Sequence, residues 1–233
     1  FSPALGNGFR VGFLGMLHLD IFQERLRREH DLEIVITVPS VAYRITKTNR
    51  EEIIIHSPQE MPDAAHIDHV LEPWMKLDII TPKNFVGNIM GLVSERKGKY
   101  LTTEYLSTDA DQPASPDEQA SQGGRALLHY EIPLASLITD FYDKLKTVSS
   151  GYASMNYEFM DYQPTDVVRL DILVAEEQVE ALATLVWRDQ AYKAGKIIVE
   201  SLKESLPKQQ FVLKIQAAIG GKIIASDRLS ALR

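Results

Sequence analysis

The stretch Glu72 to Gly98, EPWMKLDIITPKNFVGNIMGLVSERKG, constrains the chain most, because it reads as strand, sharp turn, helix and stop with each boundary marked by residue chemistry. Met75, Leu77 and Ile79 alternate with Lys76 and Asp78, the period-two pattern of a strand with one buried face. Thr81 reads as a helix cap, with Pro82 at the first helical position, where its missing amide costs nothing. Phe85, Val86, Ile89 and Val93 recur at the spacing of one helical face, and Gly98 reads as a left-handed C-cap.

The same unit returns downstream. Leu128, Tyr130 and Ile132 alternate; Leu134, Ile138, Phe141, Leu145 and Val148 then form a helical stripe that Gly151 stops. Tyr100 to Leu106 lies between the two units as a strand, and Tyr152 to Tyr162 follows with Ala153, Met155, Tyr157 and Phe159 on one side. The order β-α-β-β-α-β predicts an α+β fold with a ferredoxin-like split βαβ domain over residues 72–165. Residues 107–124, STDADQPASPDEQASQGG, interrupt it with the acidic, low-complexity composition of a disordered hairpin insert. Such insertions cost little, because loop-closure entropy grows only logarithmically.

Upstream, Phe9, Val11 and Phe13 alternate, Leu19, Phe22 and Leu26 follow at helical spacing with Arg25, Arg27 and Arg28 outward, and Leu32, Ile34, Ile36 and Val38 alternate again. This strand-helix-strand unit over residues 1–45 reads as half of another ferredoxin-like domain, and predicts a chain that starts inside a domain and leaves apolar surface uncovered. Residues 46–71 read as a polar linker with short edge strands around Ile45 and Ile53 to Ile55. From Asp166 a third α+β unit, residues 166–233, begins with the strand Val168 to Val174. Val179, Leu182, Ala183 and Val186 then read as one helix and Ala194, Ile198 and Leu202 as another. Phe211 to Ala217 reads as a strand, Gly220-Gly221 as a turn, and Ser226 as the cap of a helix running to Arg233.

A length of 233 residues with 45% hydrophobic content suits two or three such modules. The formal net charge of -7 excludes a generally basic nucleic-acid binder, so any RNA contact has to be local. The absence of cysteine excludes disulfides, thiolate metal sites and thiol nucleophiles. No run of 18 apolar residues could form a membrane-spanning helix, and Phe1-Ser-Pro does not open a signal peptide. Gly220-Gly221-Lys222 fails as a phosphate loop, because Gln216 stands at the first glycine position and Ile223 where Ser or Thr is needed.

Catalytic, cofactor and metal residues are therefore predicted to be none in this segment. His18 and His129 have no positioned partner in the sequence, Asp140 and Asp143 read as solvated, and His66 and His69 with Asp63 and Asp68 lack a full ligand set. Gly87 and Gly91 break a local rule, since each costs a helix about 1 kcal/mol against Ala. Two readings stay open: tight packing on the sheet, or a bare backbone face laid against RNA or protein. The candidate nucleic-acid-binding residues are Arg96 and Lys97 at the end of the first central helix, and Arg188, Lys193, Lys196, Lys222, Arg228 and Arg233 in the last unit. The alternative from another class is a ferredoxin-like small-ligand-binding regulatory module, supported by the fold pattern alone.

Four stretches, in order, carry a more specific signal. GFRVGFLGMLHLDIFQERLRREHDLEI, the EPWMKLDIITPKNFVGNIMGLVSERKG stretch, DFYDKLKTVSSGYASMNYEF and LPKQQFVLKIQAAIGGKIIASDRLSALR resemble the C-terminal half of the LepA family, also called elongation factor 4, a ribosome-associated translational GTPase. The resemblance implies that residues 1–45 correspond to the later part of the third domain of elongation factor G, residues 72–165 to its fifth domain, and residues 166–233 to the start of a LepA-specific C-terminal domain. It implies the ribosome and tRNA as partners and a role in protein synthesis, whether back-translocation, fidelity under stress, or ribosome assembly and initiation. GTP and Mg²⁺ are implied for the intact protein and no cofactor for this segment, which has no enzymatic activity of its own. The implied location is the bacterial cytoplasm, with peripheral association at the inner face of the cell membrane, or alternatively the mitochondrial matrix.

Overall fold

The computed structural model describes residues 6–9, 11–13, 16–36, 40–106 and 124–232. After a first helix, α1 (Met16–His30), the chain forms β1 (Tyr43–Lys47), β2 (Glu52–Ile55) and the long strand β3 (Ile67–Pro82). Then come α2 (Val86–Glu95), β4 (Lys99–Leu106), β5 (Arg125–Pro133), α3 (Leu134–Leu137), α4 (Phe141–Val148) and β6 (Ser154–Thr165). Strands β2-β1-β3-β5-β4 hydrogen-bond in that order, and β6 occupies the other edge of β3, so the whole sheet is antiparallel. The register aligns the apolar residues of one face: Leu77 stands opposite both Tyr130 and Tyr157, and Ile79 opposite both Leu128 and Met155. On that face Leu77, Ile79, Leu128 and Ile132 are fully buried beneath Ile89 and Val93 of α2 and Phe141 and Leu145 of α4. Each such side chain contributes about 1.5–3 kcal/mol of burial free energy. The α+β class is as predicted.

The boundaries differ from expectation in instructive ways. Thr81 does not cap a helix: β3 continues to Pro82, whose partner is Arg125, and a 3₁₀ turn over Lys83–Phe85 precedes α2. Ladder pairing to β5 holds the residues that local chemistry would have made a cap. The left-handed residue after α2 is Lys97 (φ 61) rather than Gly98. Gly98 is needed for space, since its N–H bonds the Val93 carbonyl at 2.9 Å and a Cβ there would lie 2.2 Å from a Val93 methyl carbon. The second helical stripe divides at residues 138–140 into α3 and α4. After α4 the chain turns through two left-handed residues, Ser150 (φ 52) and Gly151 (φ 86), the Gly151 N–H bonding the Lys146 carbonyl at 2.7 Å.

Residues 43–55, read in part as linker, form the β1–β2 hairpin, which adds to the sheet through Ile45 opposite Val70. Upstream of β1, α1 is the one helix or multi-residue strand among the described residues, with a lone bridge at Gly6. Phe9, residues 11–13 and residues 31–36 enter no ladder among the described residues, and Val38 lies outside them. A strand needs a neighbour for its N–H and C=O groups, whereas a helix satisfies its own. α1 is laced by Arg25–Glu29, Glu24–Arg27 and Glu24–Arg28 ion pairs, while Leu17 and Ile21 stay exposed.

The last unit consists of β7 (Val167–Val174), β8 (Glu177–Gln178), β9 (Thr184–Trp187), α5 (Ala191–Ser205), β10 (Leu213–Ile219) and β11 (Lys222–Leu229). Its sheet runs β11-β10-β7-β8, with β9 also on β7. α5 lies on Leu170, Ile172, Ile215 and Ala217, and Gly195 lets it approach: a Cβ there would meet the Ala217 Cβ at 3.0 Å. Two predicted helices are corrected. Residues 179–186 form a 3₁₀ turn and β9, because Thr184, Val186 and Trp187 pair with Leu170, Val168 and Val167. Ser226 lies inside β11 opposite Gln216 rather than capping a helix. Gly220 and Gly221 (φ 54 and 79) turn the chain between the paired Ile219 and Lys222, as a two-residue hairpin requires. The insert at residues 107–123 lies outside the described residues.

A further cluster joins the two sheets, with Val41, Tyr43, Ile45, Ile55, Val70 and Val167 at its centre and Leu185 and Trp187 against it. Gly98→Ala should destabilise the fold by about 1–3 kcal/mol, because Val93 is fully buried and cannot yield to the new methyl. Urea denaturation of the variant against the parent measures this directly.

Candidate nucleic-acid interface

Three of the candidate cations have aspartate partners within the fold. The Arg96 guanidinium donates to Asp140 at 2.5 Å, and its carbonyl accepts the Ser136 hydroxyl at 2.7 Å, tying the end of α2 to α3 and α4. The Lys97 ammonium lies 2.8 Å from Asp189 and 4.7 Å from the centre of the Trp187 ring. Arg188 pairs with Asp166 at 2.8 Å. Lys196 has a loose partner in Glu200 at 3.7 Å. Lys193, Lys222 and Arg228 are exposed and make no ion pair among the described residues, and Arg233 lies outside them.

The free cations do not share one face. Asp227 and Ile215 stand opposite each other and face α5, Asp227 through its ion pair with Lys203 at 2.9 Å. Strand alternation therefore turns Arg228 and its cross-strand neighbour Lys214 to the far side of the sheet, while Lys193 and Lys196 stand on exposed positions of α5.

The central unit offers a different surface. α2 buries Ile89, Leu92 and Val93, which leaves Gly87 and Gly91 exposed, and a Cβ at either position would meet no atom within 4 Å. Tight packing on the sheet is thereby excluded as the reason for these glycines. Gly87, Asn88 and Gly91 form a stripe of bare backbone and amide along the exposed side of the helix, continued by Asn84 in the preceding 3₁₀ turn. Lys83 at its start lies 5.1 Å from the Tyr105 ring centre.

The titratable groups serve packing. His129 has a partner after all: its Nδ1 shares a 2.6 Å hydrogen bond with Asp78 on the neighbouring strand. Its Nε2 is buried and without a hydrogen bond, 3.7 Å from Glu104, which leaves no room for a substrate. His69 uses its ring nitrogens on Thr46 and Asp68 at 3.0 Å each. Among the described residues no group of three or more His, Asp or Glu is arranged to hold a metal. Nor is any helix there long and apolar enough to cross a membrane. Asp140 and Asp143 are not equivalent, as the sequence had suggested: a hydrogen bond from Lys144, and then the Arg96 guanidinium, hold the Asp140 carboxyl down at about 2.

Glu72 is the group the sequence reading missed. It is 3% exposed on β3, and burial raises its carboxyl above the usual range, opposed by the Trp187 indole and the charge of Lys97. The Trp187 N–H donates to its two oxygens at 3.1 and 3.3 Å across 115 residues of chain, a separation no local pattern could reveal.

Opposite pH effects follow. Asp140 titrates lower in the folded state than its ordinary 3.8, so it stabilises the fold above that value and the contribution is lost as pH falls toward 2. Glu72 titrates higher than its ordinary 4.5, so its favourable contribution is complete below 4.5 and is lost as pH rises through the raised value. Asp140→Asn should flatten the acid limb of the stability curve between about pH 4 and 2. Glu72→Gln should exceed the parent in stability at neutral pH and match it below 4.5. Chemical denaturation across pH checks both.

The surfaces just described lie in segments that match known families. A family described as GTP-binding protein LepA C-terminus matches residues 174–233, and one described as elongation factor G C-terminus matches residues 69–112 and 115–173. Curated relatives named elongation factor 4 are 46% identical in Chlorobium luteolum, 45% in Prochlorococcus marinus subsp. pastoris and 44% in Parasynechococcus marenigrum, each over 232 residues and the whole of this chain. The chain spans 36% of the length of these relatives. With both family matches in sequence and near-half identity from end to end, the chain belongs to the LepA family, elongation factor 4, and matches the C-terminal part of its members.

Proposed function

We propose that this segment is the ribosome- and tRNA-contacting part of a translational GTPase, acting in protein synthesis through surfaces for RNA and not through a reactive centre of its own. The observation that carries the reading is the bare face of α2. Gly87 and Gly91 weaken the helix and fill no packing need, and an exposed backbone admits a sugar-phosphate or peptide chain closer than any side chain would. The unpaired Arg228, turned away from α5, and Lys222 at the hairpin turn support a second contact in the last unit. GTP hydrolysis with its Mg²⁺ would belong to the intact protein outside this segment, and its location would be with the ribosomes of the cytoplasm. The division at residues 45, 71 and 165 is part of the same reading, with residues 46–71 carried into the central sheet by the β1–β2 hairpin and the start of β3.

In the intact protein, Gly87→Ala and Gly91→Ala should each stabilise the fold by about 0.5–1 kcal/mol. Together they should weaken ribosome binding by about tenfold or more, a loss of at least 1.4 kcal/mol. A double variant that is more stable and still binds ribosomes like the parent overturns the reading.

Lys222→Glu and Arg228→Glu test the second contact. Each should leave the fold intact and lower the slope of log K against log salt by about one for tRNA or ribosome binding. Unchanged slopes for both would remove the last unit from the interface.

A further inference from the structure

Trp187, the last residue of β9, is held from two directions by groups of the central unit. Its indole N–H donates to both oxygens of Glu72 on β3, and its ring faces the Lys97 ammonium at 4.7 Å. Lys97 also bonds Asp189, two residues past Trp187, at 2.8 Å. One ammonium thus anchors the end of β9 and supplies positive charge near the buried Glu72. Lys97 lies two residues beyond α2 in left-handed backbone, so the end of that helix fixes its position.

We propose that Lys97 is the catch of a clasp between the central sheet and the last unit, and that an RNA phosphate arriving at the C-terminal end of α2 releases it by taking the ammonium from Asp189 and Trp187. This rests on the reading of α2 as an RNA-contacting face. The catch is weak where it has to give: the Asp189 side chain is 64% exposed and Lys97 32%, and ion pairs this open are easily exchanged. Phosphate carries the oxygens and charge to compete with a carboxylate for an ammonium. Once Lys97 leaves, Glu72 keeps a buried charge with less compensation, which weakens the site that Trp187 occupies. The ligand shifts the equilibrium to the extent that it binds Lys97 more tightly once the ammonium has left Asp189 and Trp187. Val167 and Leu185 stay packed in the shared cluster, so release is a swing of the last unit and not its detachment.

The chain contains no cysteine, so Asp143→Cys on α4 and Glu204→Cys on α5 provide two spin-label positions, both exposed. Double electron–electron resonance should give a single separation for this background and for Lys97→Arg, and a broadened or two-population distribution for Lys97→Met. Adding Glu72→Gln to Lys97→Met should restore the single separation, because the amide oxygen still accepts from Trp187 and no buried charge remains. A short single-stranded uridine oligonucleotide should broaden the Lys97 background and leave Lys97→Met unchanged. A Lys97→Met distribution identical to the background overturns the clasp, as does failure of Glu72→Gln to restore it. An oligonucleotide without effect, beside intact ribosome binding by the full protein, overturns the phosphate trigger and leaves the α2 reading standing.

Discussion

The sixteen-residue β3 bonds along both edges at once, and the rest of the molecule depends on that double commitment. One edge serves β1 through residues 67–71 and then β5 through residues 74–82; the other serves β6 through residues 70–80. Pro73, having no N–H to donate, sits at the break in that pairing, where β1 has ended at Leu71 and β5 has not begun at Trp74, beside the irregularity of the β6 ladder at Trp74 and Met75. Glu72, Pro73, Trp74 and Met75 are buried in succession, where a half-covered sheet would alternate. Both faces of β3 are covered here, one by the main core that Met75 enters, the other where Trp187 reaches Glu72.

Patterns that repeat within one element were legible beforehand. The alternation around Leu77 and Tyr130 and the stripe through Ile89 and Val93 report directly on which atoms leave water, and they gave the central unit its order of strands and helices. Boundaries were less legible, because partners distant in sequence decide them. Thr81 has the chemistry of a cap, yet its backbone belongs to a ladder with Ala126. Ser226 has it too, and Gln216 across the hairpin decides the matter. Val179 to Val186 show helical spacing by coincidence of a 3₁₀ turn and a short strand.

The functional surfaces divide in the same manner. The oddity of Gly87 and Gly91 was visible in the sequence, but only coordinates could show that nothing in the fold presses on them. Charges were the signal that needed the structure most. Arg96, Lys97 and Arg188 look like the other candidates in a list of basic residues, and each proves to be answered by an aspartate: Asp140, Asp189 and Asp166. A carboxylate within reach gives a cation a tie within the molecule that any ligand has to displace, and only distance reveals it.

β6 passes into β7 with Asp166 alone between them, so one nearly unbroken extended run serves both sheets. At about 3.3 Å per residue it reaches some 65–70 Å, and extended chain carries an inherent right-handed coil. Asp166 alone separates the two ladders along this path, so any turn of one sheet against the other has to be taken up there. A small rotation at that single residue would thus swing the far tip of β11 through a much larger arc.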